Sequence, residues 1–228
     1  SGDIVFLADQ DDVWDERKLE KMCEVLERQE DVRVLVCKFG LIDGEGGAIK
    51  TAMAPTHAGG TSDLRKVSAH DVFYKGEWPG MAMAYRREWY QRKVAVAELP
   101  HDLLLAAWAA EEGAFRQMDE ELVWHRRHES NTGQEEHRLK KLLNKERKLR
   151  EIETYLGYLD IFSRENLLCT EEGRRALEEK RKSMSGRYEA LRSGKIGKVL
   201  KAAVRSRRDV RLATVVCDVI ICRQKTEE

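Results

Sequence analysis

The sequence lacks a long hydrophobic run, a signal peptide, a CxxC pair and a glycine-rich phosphate loop. No apolar run approaches the ~20 residues of a membrane-spanning helix, which excludes that kind of segment. The five cysteines are odd in number and irregularly spaced, which favours free thiols in a reducing compartment. The missing glycine-rich loop excludes the usual dinucleotide and P-loop fingerprints. We therefore expect a cytoplasmic chain.

Charge is abundant but unevenly distributed along the chain. Charged residues make up 36% of the sequence, above the roughly 25% of an average globular protein. Residues 1–137 hold 17 basic and 27 acidic residues (17 − 27 = −10), and residues 138–228 hold 24 and 14 (24 − 14 = +10). The acidic part is suited to attracting a cation. The basic part is suited to phosphate or an anionic membrane surface.

Hydrophobic periodicity divides the chain into two parts. In the first part, strand patterns alternate with helical ones, beginning with a strand over 4–8 and a helix over 15–29. In the second part, Lys, Arg, Glu and Leu dominate, and a long helix is predicted over 172–192. The pattern predicts an α/β domain over residues 1–133 followed by a basic α-helical extension over 134–228.

An acidic cluster, formed by Asp9, Asp11 and Asp12, directly follows the first predicted strand. In open α/β sheets, ligands bind beyond the carboxyl ends of the strands. Three carboxylates packed there repel one another, and a divalent cation with oxygen ligands relieves that repulsion. The alternative is a solvated loop whose aspartates cap the following helix. Spacing alone leaves both interpretations open.

Four short segments of the first part form an ordered set of motifs. They are DQDDVW at 9–14 followed by Lys18-Leu19, a small-residue stretch from Gly80 to Arg86, HDL at 101–103 and LVWHRRHESN at 122–131. Together they resemble family 2 glycosyltransferases of the GT-A type, particularly bacterial rhamnosyltransferase-like enzymes. In order, they resemble that family's DxD segment, the strand beneath its acceptor site, its catalytic-base segment and its closing motif. His125 departs from the pattern, which usually has Tyr there.

On the donor side, the resemblance implies residues that hold a nucleotide-sugar diphosphate and a metal ion. Asp9, Asp11 and Asp12 would face the diphosphate, with Asp11 as a ligand of Mn²⁺ or Mg²⁺ and Asp12 also orienting the loop. Alternatively, Asp9 would approach the ribose. His128 would be a further metal ligand, and Arg126 would bind the diphosphate. The simpler alternative places His128 and Arg126 on a solvated surface.

On the acceptor side, the resemblance implies a general base beside a binding surface. Asp102 would take the proton from an acceptor hydroxyl as that oxygen attacks and inverts the anomeric carbon. Trp78, Gly80 and His101 would lie at the acceptor. Alternatively, Asp102 is stabilised by the dipole of the helix that it begins, and Trp78 is a core residue.

The resemblance implies sugar transfer from a nucleotide-diphosphate donor to a glycan or lipid-linked acceptor. It begins in mid-domain, because the strands and helix that normally bind the nucleotide base before the DxD segment have no counterpart. We expect a partial GT-A (Rossmann-like) sheet that lacks these N-terminal nucleotide-binding strands and is followed by an α-helical tail. On this interpretation, the chain is an N-terminally truncated product or an incomplete gene model, or a separate partner chain supplies the missing half.

The basic extension leaves a second function open. Its lysines and arginines suit solvated helix faces or peripheral contact with the inner face of an anionic membrane. Sparse aromatic residues and the lack of a recognisable motif argue against nucleic acid as a partner. The competing function is a non-catalytic, basic helical module that binds an anionic membrane surface or a partner protein.

Overall fold

The chain divides into two compact units, which we call the sheet unit (Ser1–His128) and the helical unit (Glu129–Glu228). The computed structural model describes residues 2–49, 64–74, 78–94, 96–127, 143–206 and 210–224. The mixed α/β class predicted from the sequence is confirmed. The predicted boundary between the α/β domain and the helical extension, after residue 133, lies outside the described residues.

The sheet unit is built on one six-stranded mixed sheet. Its strands are β1 (Ile4–Phe6), β2 (Val13–Trp14), β3 (Val34–Ile42), β4 (Arg65–Lys66), β5 (Met83–Arg86) and β6 (Phe115–Arg126). The strand order is β1-β5-β3-β6-β2, with β4 also paired to β6. Among the described strands, β3 and β6 pair in parallel and the other pairs are antiparallel.

Helices connect the strands of this sheet. They are α1 (Lys18–Arg28), α2 (Ala69–Tyr74), α3 (Arg87–Gln91) and α4 (His101–Glu111), and a 3₁₀ turn at Gly80–Ala82 precedes β5. Seven successive residues of α4, Leu104 to Ala110, are buried, as expected for a helix that is apolar on all sides. Gly113, with φ +70°, follows the end of α4, in a conformation that favours glycine.

Strand β6 differs from the sequence-based expectation. The apolar pattern predicts two short extended pieces, 115–118 and 122–124, whereas the structure has one continuous strand of 12 residues. The exposed segment Asp119 to Glu121 hides this continuity because its side chains are all acidic. Lys38 pairs with Asp119 and Lys21 pairs with Glu120, so neighbouring elements neutralise part of this acidic stretch.

The sheet is strongly curled. β1 and β2 are the two ends of the strand order, which in a flat sheet would separate them by four strand spacings, about 19 Å. The ring centroids of Phe6 in β1 and Trp14 in β2 nevertheless lie 6.2 Å apart. The curl therefore brings the two ends of the strand order together, and the connection between them is short.

The helical unit consists of α5 (Lys145–Arg164), α6 (Glu171–Arg192), α7 (Ile196–Arg205) and α8 (Leu212–Ile221) among its described residues. Asn144 and Thr170 cap α5 and α6 by accepting backbone hydrogen bonds of 2.8 Å and 3.0 Å, which satisfies N–H groups that a helix start leaves unpaired. The helices pack on a shared core formed by Ile152, Ala190, Leu191, Val199, Ile221 and Cys222. The helix predicted over 172–192 is confirmed.

Two buried polar contacts fix α8 in this unit. Arg187 of α6 donates two hydrogen bonds to the carboxylate of Asp218, at 2.6 Å and 2.8 Å. The ammonium of Lys145 donates to the carbonyl oxygens of Cys222 and Gln224, at 3.0 Å and 3.2 Å. No helix among the described residues is long and apolar enough to cross a bilayer.

Candidate functional site

The acidic cluster lies in the connection between β1 and β2, which we call the acidic loop (residues 8–12). Leu7 still follows the sheet, because its N–H donates to the carbonyl of Met83 at 3.2 Å. The loop then crosses to β2 at the other end of the strand order. Along it, Asp9 is exposed, Asp11 is half-buried and the side chain of Asp12 is fully buried. The loop therefore bridges the curled sheet and carries carboxylates at graded depth.

Asp12 fixes the end of the acidic loop to β6. Its Oδ1 accepts the backbone N–H of Arg126 at 3.0 Å and lies 2.9 Å from Nδ1 of His125. Its Oδ2 is buried with no hydrogen-bond partner among the described residues. A buried carboxylate is expensive unless it is bonded, so this contact imposes a defined loop position. The expected orienting role of Asp12 has a geometric basis here, whereas its contact with a diphosphate stays a prediction.

Arg126 holds the backbone of the acidic loop from the same strand end. Its Nε donates to the carbonyl of Asp11 at 2.9 Å. Its Nη1 donates to the carbonyls of Asp43 and Gly44, at 3.2 Å and 3.0 Å. The guanidinium thus clamps the loop to the turn after β3. Binding of a diphosphate by Arg126 stays a prediction. It would be a second role beside the hydrogen bonds that hold the loop.

Lys18 lies buried beneath this region, and the sequence motif gave no role for it. Its Nζ donates to the carbonyl of Met81 at 2.6 Å and lies 3.4 Å from the centroid of the Trp14 ring. Burial lowers the pKa of this ammonium to about 8, against the opposing effects of nearby Cys37 and Asp12. Burial also raises the pKa of the Cys37 thiol to about 11. Both groups are therefore poorly solvated.

A sequence signal for the burial of Lys18 exists. Lys18, Met22 and Leu26 recur every four residues, and all three are buried residues of α1. A lysine at such a spacing belongs to the core-facing side of its helix. Composition alone hides this signal, because α1 contains several other charged residues that are exposed.

Gly80, His101 and Asp102 come together beside the base of the acidic loop. A β-carbon at Gly80 would lie 3.1 Å from Nε2 of His101, 3.3 Å from Cδ1 of Leu7 and 3.7 Å from Cβ of Asp102. A side chain at this position would force His101 or Leu7 to shift by a few tenths of an ångström, so the close approach favours glycine. It places the first turn of α4 against the residue that precedes the loop. Asp102 is half-buried, and its Oδ1 accepts the N–H of Leu103 at 2.8 Å.

Trp78 is a packed residue in this structure. It is 6% exposed, and its ring meets that of Phe115 edge-on, with centroids 5.1 Å apart. This environment agrees with the alternative interpretation of Trp78 as a core residue. Contact between Trp78 and an acceptor stays a prediction.

The carboxylates of the acidic loop are hard oxygen ligands, which suit Mg²⁺ or Mn²⁺. Within the described residues, no group of three or more His, Cys, Asp or Glu side chains is placed to hold a metal ion. His128, the further predicted ligand, lies outside those residues, two positions after Arg126 at the end of β6. The carboxylate oxygens of the acidic loop are therefore of the type that binds a divalent cation. The set of residues that would hold the ion stays a prediction.

Comparisons with family models and with curated proteins find no match to this chain. The resemblance to family 2 glycosyltransferases therefore depends on the four motifs and on the geometry of the residues that carry them. In that geometry, two groups of residues lie at opposite ends of the acidic loop. Gly80 and Asp102 lie at its base, and Asp12, His125 and Arg126 lie at its end.

Proposed function

We propose that the sheet unit is the metal- and acceptor-binding part of an inverting glycosyltransferase. The reaction would move a sugar from a nucleotide-diphosphate donor to a glycan or lipid-linked acceptor. The observation that carries the proposal is the clamped acidic loop, which has Asp102 beside its base and the end of β6 at its other end. The motifs for donor, base and closing segment thus converge on one short connection.

The donor side depends on the fixed backbone of the acidic loop. Asp12 and Arg126 hold that backbone from β6, so the exposed Asp9 and half-buried Asp11 project from a defined position. Preorganised charge of this kind stabilises a leaving group without reorganisation during the reaction. A bound Mn²⁺ or Mg²⁺ would neutralise the charge that gathers on the departing diphosphate. His128 is proposed to complete the ligand set.

The acceptor side depends on Asp102. An acceptor hydroxyl would attack the anomeric carbon while its proton passes to the Asp102 carboxylate, and the bond from that carbon to the diphosphate would break. Such a base typically contributes about 10²–10⁴-fold to the rate. Asp102 lies in the first turn of α4, where a carboxylate interacts favourably with the helix dipole.

Metal binding by the complete chain tests this function. We expect Mn²⁺ to raise the melting temperature, because an ion that binds only the folded state stabilises it by mass action. Asp11→Asn should abolish the increase while preserving side-chain shape. Glu16→Gln is the matched control, since it removes one exposed carboxylate just after the loop and should leave the increase intact.

Two results would contradict the proposal. One is a melting temperature indifferent to Mn²⁺ and Mg²⁺ in the wild-type chain. The other is an identical increase in the wild-type and Asp11→Asn proteins, which would place the ion elsewhere. Addition of a nucleoside diphosphate should enlarge the Mn²⁺ effect in the wild-type protein, because the diphosphate supplies further oxygen ligands to the ion.

A further inference from the structure

Helix α8 presents an apolar face to solvent. Leu212, Val216 and Ile220 recur every four residues, which places them on one side of the helix. They are 79%, 50% and 54% exposed. The other side of α8 holds the buried residues Asp218 and Ile221. The apolar side chains on the solvent face are therefore additional to those that build the core.

Helix α7 adds to this pattern. Its Leu200 and Val204 are also exposed large hydrophobic residues, one helical turn apart. The two helices pack on the same core, through Val199 of α7 and Ile221 of α8. We call the exposed residues of both helices, together with Arg211 and Arg223, the α7–α8 surface.

Every exposed charge of this surface in its described residues is positive. Arg211 immediately precedes α8 and Arg223 follows it, so exposed arginines bracket the apolar stripe. Lys198, Lys201 and Arg205 are exposed on α7. The single described carboxylate of these two helices, Asp218, is buried and bound by Arg187. In its described residues, the surface therefore combines exposed aliphatic side chains with exposed charges that are all positive.

From this combination we infer that the α7–α8 surface docks on an anionic lipid bilayer, with the apolar stripe of α8 in the interface and the basic residues at the phosphates. A helix with apolar residues on one side and Lys or Arg nearby is suited to lying in the plane of a membrane. Basic residues near such a surface are attracted by its negative potential. The inference is independent of the proposed transferase activity.

Charge favours this occupant over two others. A second copy of the chain would bring like charges together across the interface, which is unfavourable. A nucleic acid would match the charge, but it would leave the aliphatic stripe without a partner. An anionic bilayer satisfies both components of the surface at once.

Co-sedimentation of the complete chain with lipid vesicles tests the inference. One set of vesicles contains phosphatidylcholine alone, and the other contains phosphatidylcholine and phosphatidylglycerol in equal parts. We expect binding to the anionic vesicles and little binding to the neutral ones. Binding should weaken as salt is added, because salt screens the attraction between exposed charges.

Substitutions on α8 separate the apolar and charged contributions. Val216→Ser with Ile220→Ser should lower the partition coefficient by about tenfold or more, since two aliphatic side chains lose their burial in lipid. The matched control is Leu19→Ser with Val94→Ser, two exposed hydrophobic residues of the sheet unit, which should leave binding unchanged.

Arg211→Gln with Arg223→Gln should lower the partition coefficient by about 30-fold at low salt. The matched control is Arg150→Gln with Arg175→Gln, which removes the same charge from exposed positions on α5 and α6 and should have a much smaller effect. Far-UV circular dichroism should show unchanged helix content in all four double variants.

Three outcomes would overturn the inference. Equal binding to neutral and anionic vesicles would show that charge is not recognised. Unchanged binding by both α8 double variants would place the contact elsewhere. A lipid-free dimer that Val216→Ser with Ile220→Ser converts to a monomer, as measured by sedimentation velocity, would identify a second copy as the occupant.

Discussion

The sheet unit and the helical unit depart from the usual distribution of polar and apolar residues in opposite ways. The sheet unit buries the side chain of Asp12, at the end of the acidic loop, and that of Lys18. The helical unit exposes Leu212, Val216 and Ile220 along one side of α8. Buried charge and contiguous exposed apolar surface are the informative departures, because scattered exposed hydrophobic residues are normal. In each unit, the candidate site is therefore indicated by residues whose burial or exposure is not explained by stability alone.

Buried charge is held in two ways, by an opposite charge or, as for Lys18 and Lys145, by carbonyl oxygens. In the helical unit, Arg187 and Asp218 form a bidentate pair at 2.6 Å and 2.8 Å, which satisfies both partners. In the sheet unit, Lys18 hydrogen-bonds to a carbonyl and lies over an aromatic ring. A paired ion is stable over a wide pH range, whereas a poorly solvated ammonium titrates closer to neutral pH. Stability measurements can separate these two cases.

The largest expected effect comes from breaking the pair in the helical unit. Asp218→Ala should lower the free energy of unfolding of that unit by about 3 kcal/mol, because Arg187, whose side chain is 17% exposed, keeps a mostly buried charge without its partner. All five tryptophans belong to the sheet unit. In urea unfolding, Asp218→Ala should therefore shift the far-UV circular dichroism transition, which reports the helices of both units, more than it shifts the tryptophan fluorescence transition.

The control for this change is Asp160→Ala, which removes an exposed partner of Arg181 at 2.7 Å. An exposed pair contributes less than about 1 kcal/mol, so this variant should unfold close to wild type. Equal shifts in the fluorescence and dichroism transitions of Asp218→Ala would show that the units unfold together. Their separate treatment in stability arguments would then be wrong.

The second effect concerns the pH dependence of the sheet unit. The pKa of Lys18 is lowered to about 8 in the folded chain, from an ordinary value of 10.5. Between these pH values the unfolded chain holds a proton that the folded chain has released, so folding stability rises with pH. The rise attributable to Lys18 should reach about 3 kcal/mol and be lost as pH falls to 8.

Lys18→Met provides the comparison for this pH effect. Cys37 opposes Lys18 in the wild-type chain, because a raised thiol pKa makes stability fall between about 9 and 11. Since Cys37 is present in both proteins, its contribution largely cancels in their difference. Urea unfolding followed by tryptophan fluorescence at several pH values gives this difference. A constant difference from pH 8 to pH 10 would rule out a poorly solvated ammonium.

Local sequence signals predicted much of the architecture. Pro100 and Gly113 predict a helix from about His101 to Glu112, and α4 is found there. The helical periodicity of α6 likewise predicted its bounds. The continuity of β6 could not be predicted, because its exposed acidic segment carries no apolar alternation. The curl of the sheet was equally hidden, since it depends on contacts between the two ends of the strand order.

The position of the acidic cluster directly after a strand was predictable, but the contacts that hold it were not. Ligand binding at this cluster, expected from the general rule for α/β sheets, stays a prediction. The clamp on that cluster joins Asp12 to Arg126, which lie 114 positions apart in the sequence. No local pattern encodes such a contact. Lys18 was similarly hidden, because lysine is usually exposed and only its spacing with Met22 and Leu26 indicated burial.

The smallest expected effect on stability distinguishes the residue that positions the acidic loop, Asp12, from a residue proposed to bind the ligand, Asp9. Asp12→Ala leaves the N–H of Arg126 without its acceptor and should lower the free energy of unfolding by about 1–3 kcal/mol. Asp9→Ala removes an exposed carboxylate and should change it by less than about 0.5 kcal/mol. Both variants should weaken the Mn²⁺-dependent increase in melting temperature, Asp12→Ala through loop position and Asp9→Ala through lost negative charge.

Urea unfolding and Mn²⁺ titration of both proteins measure the two quantities independently. A stable Asp12→Ala protein with a full Mn²⁺ response would show that the buried contact with β6 does not position the loop. An Asp9→Ala protein that loses stability as much as Asp12→Ala would show that the exposed carboxylate is also structural. In either case the graded depth of the loop would no longer distinguish positioning residues from ligand-binding ones, and the contrast with the helical unit would rest on Lys18 alone.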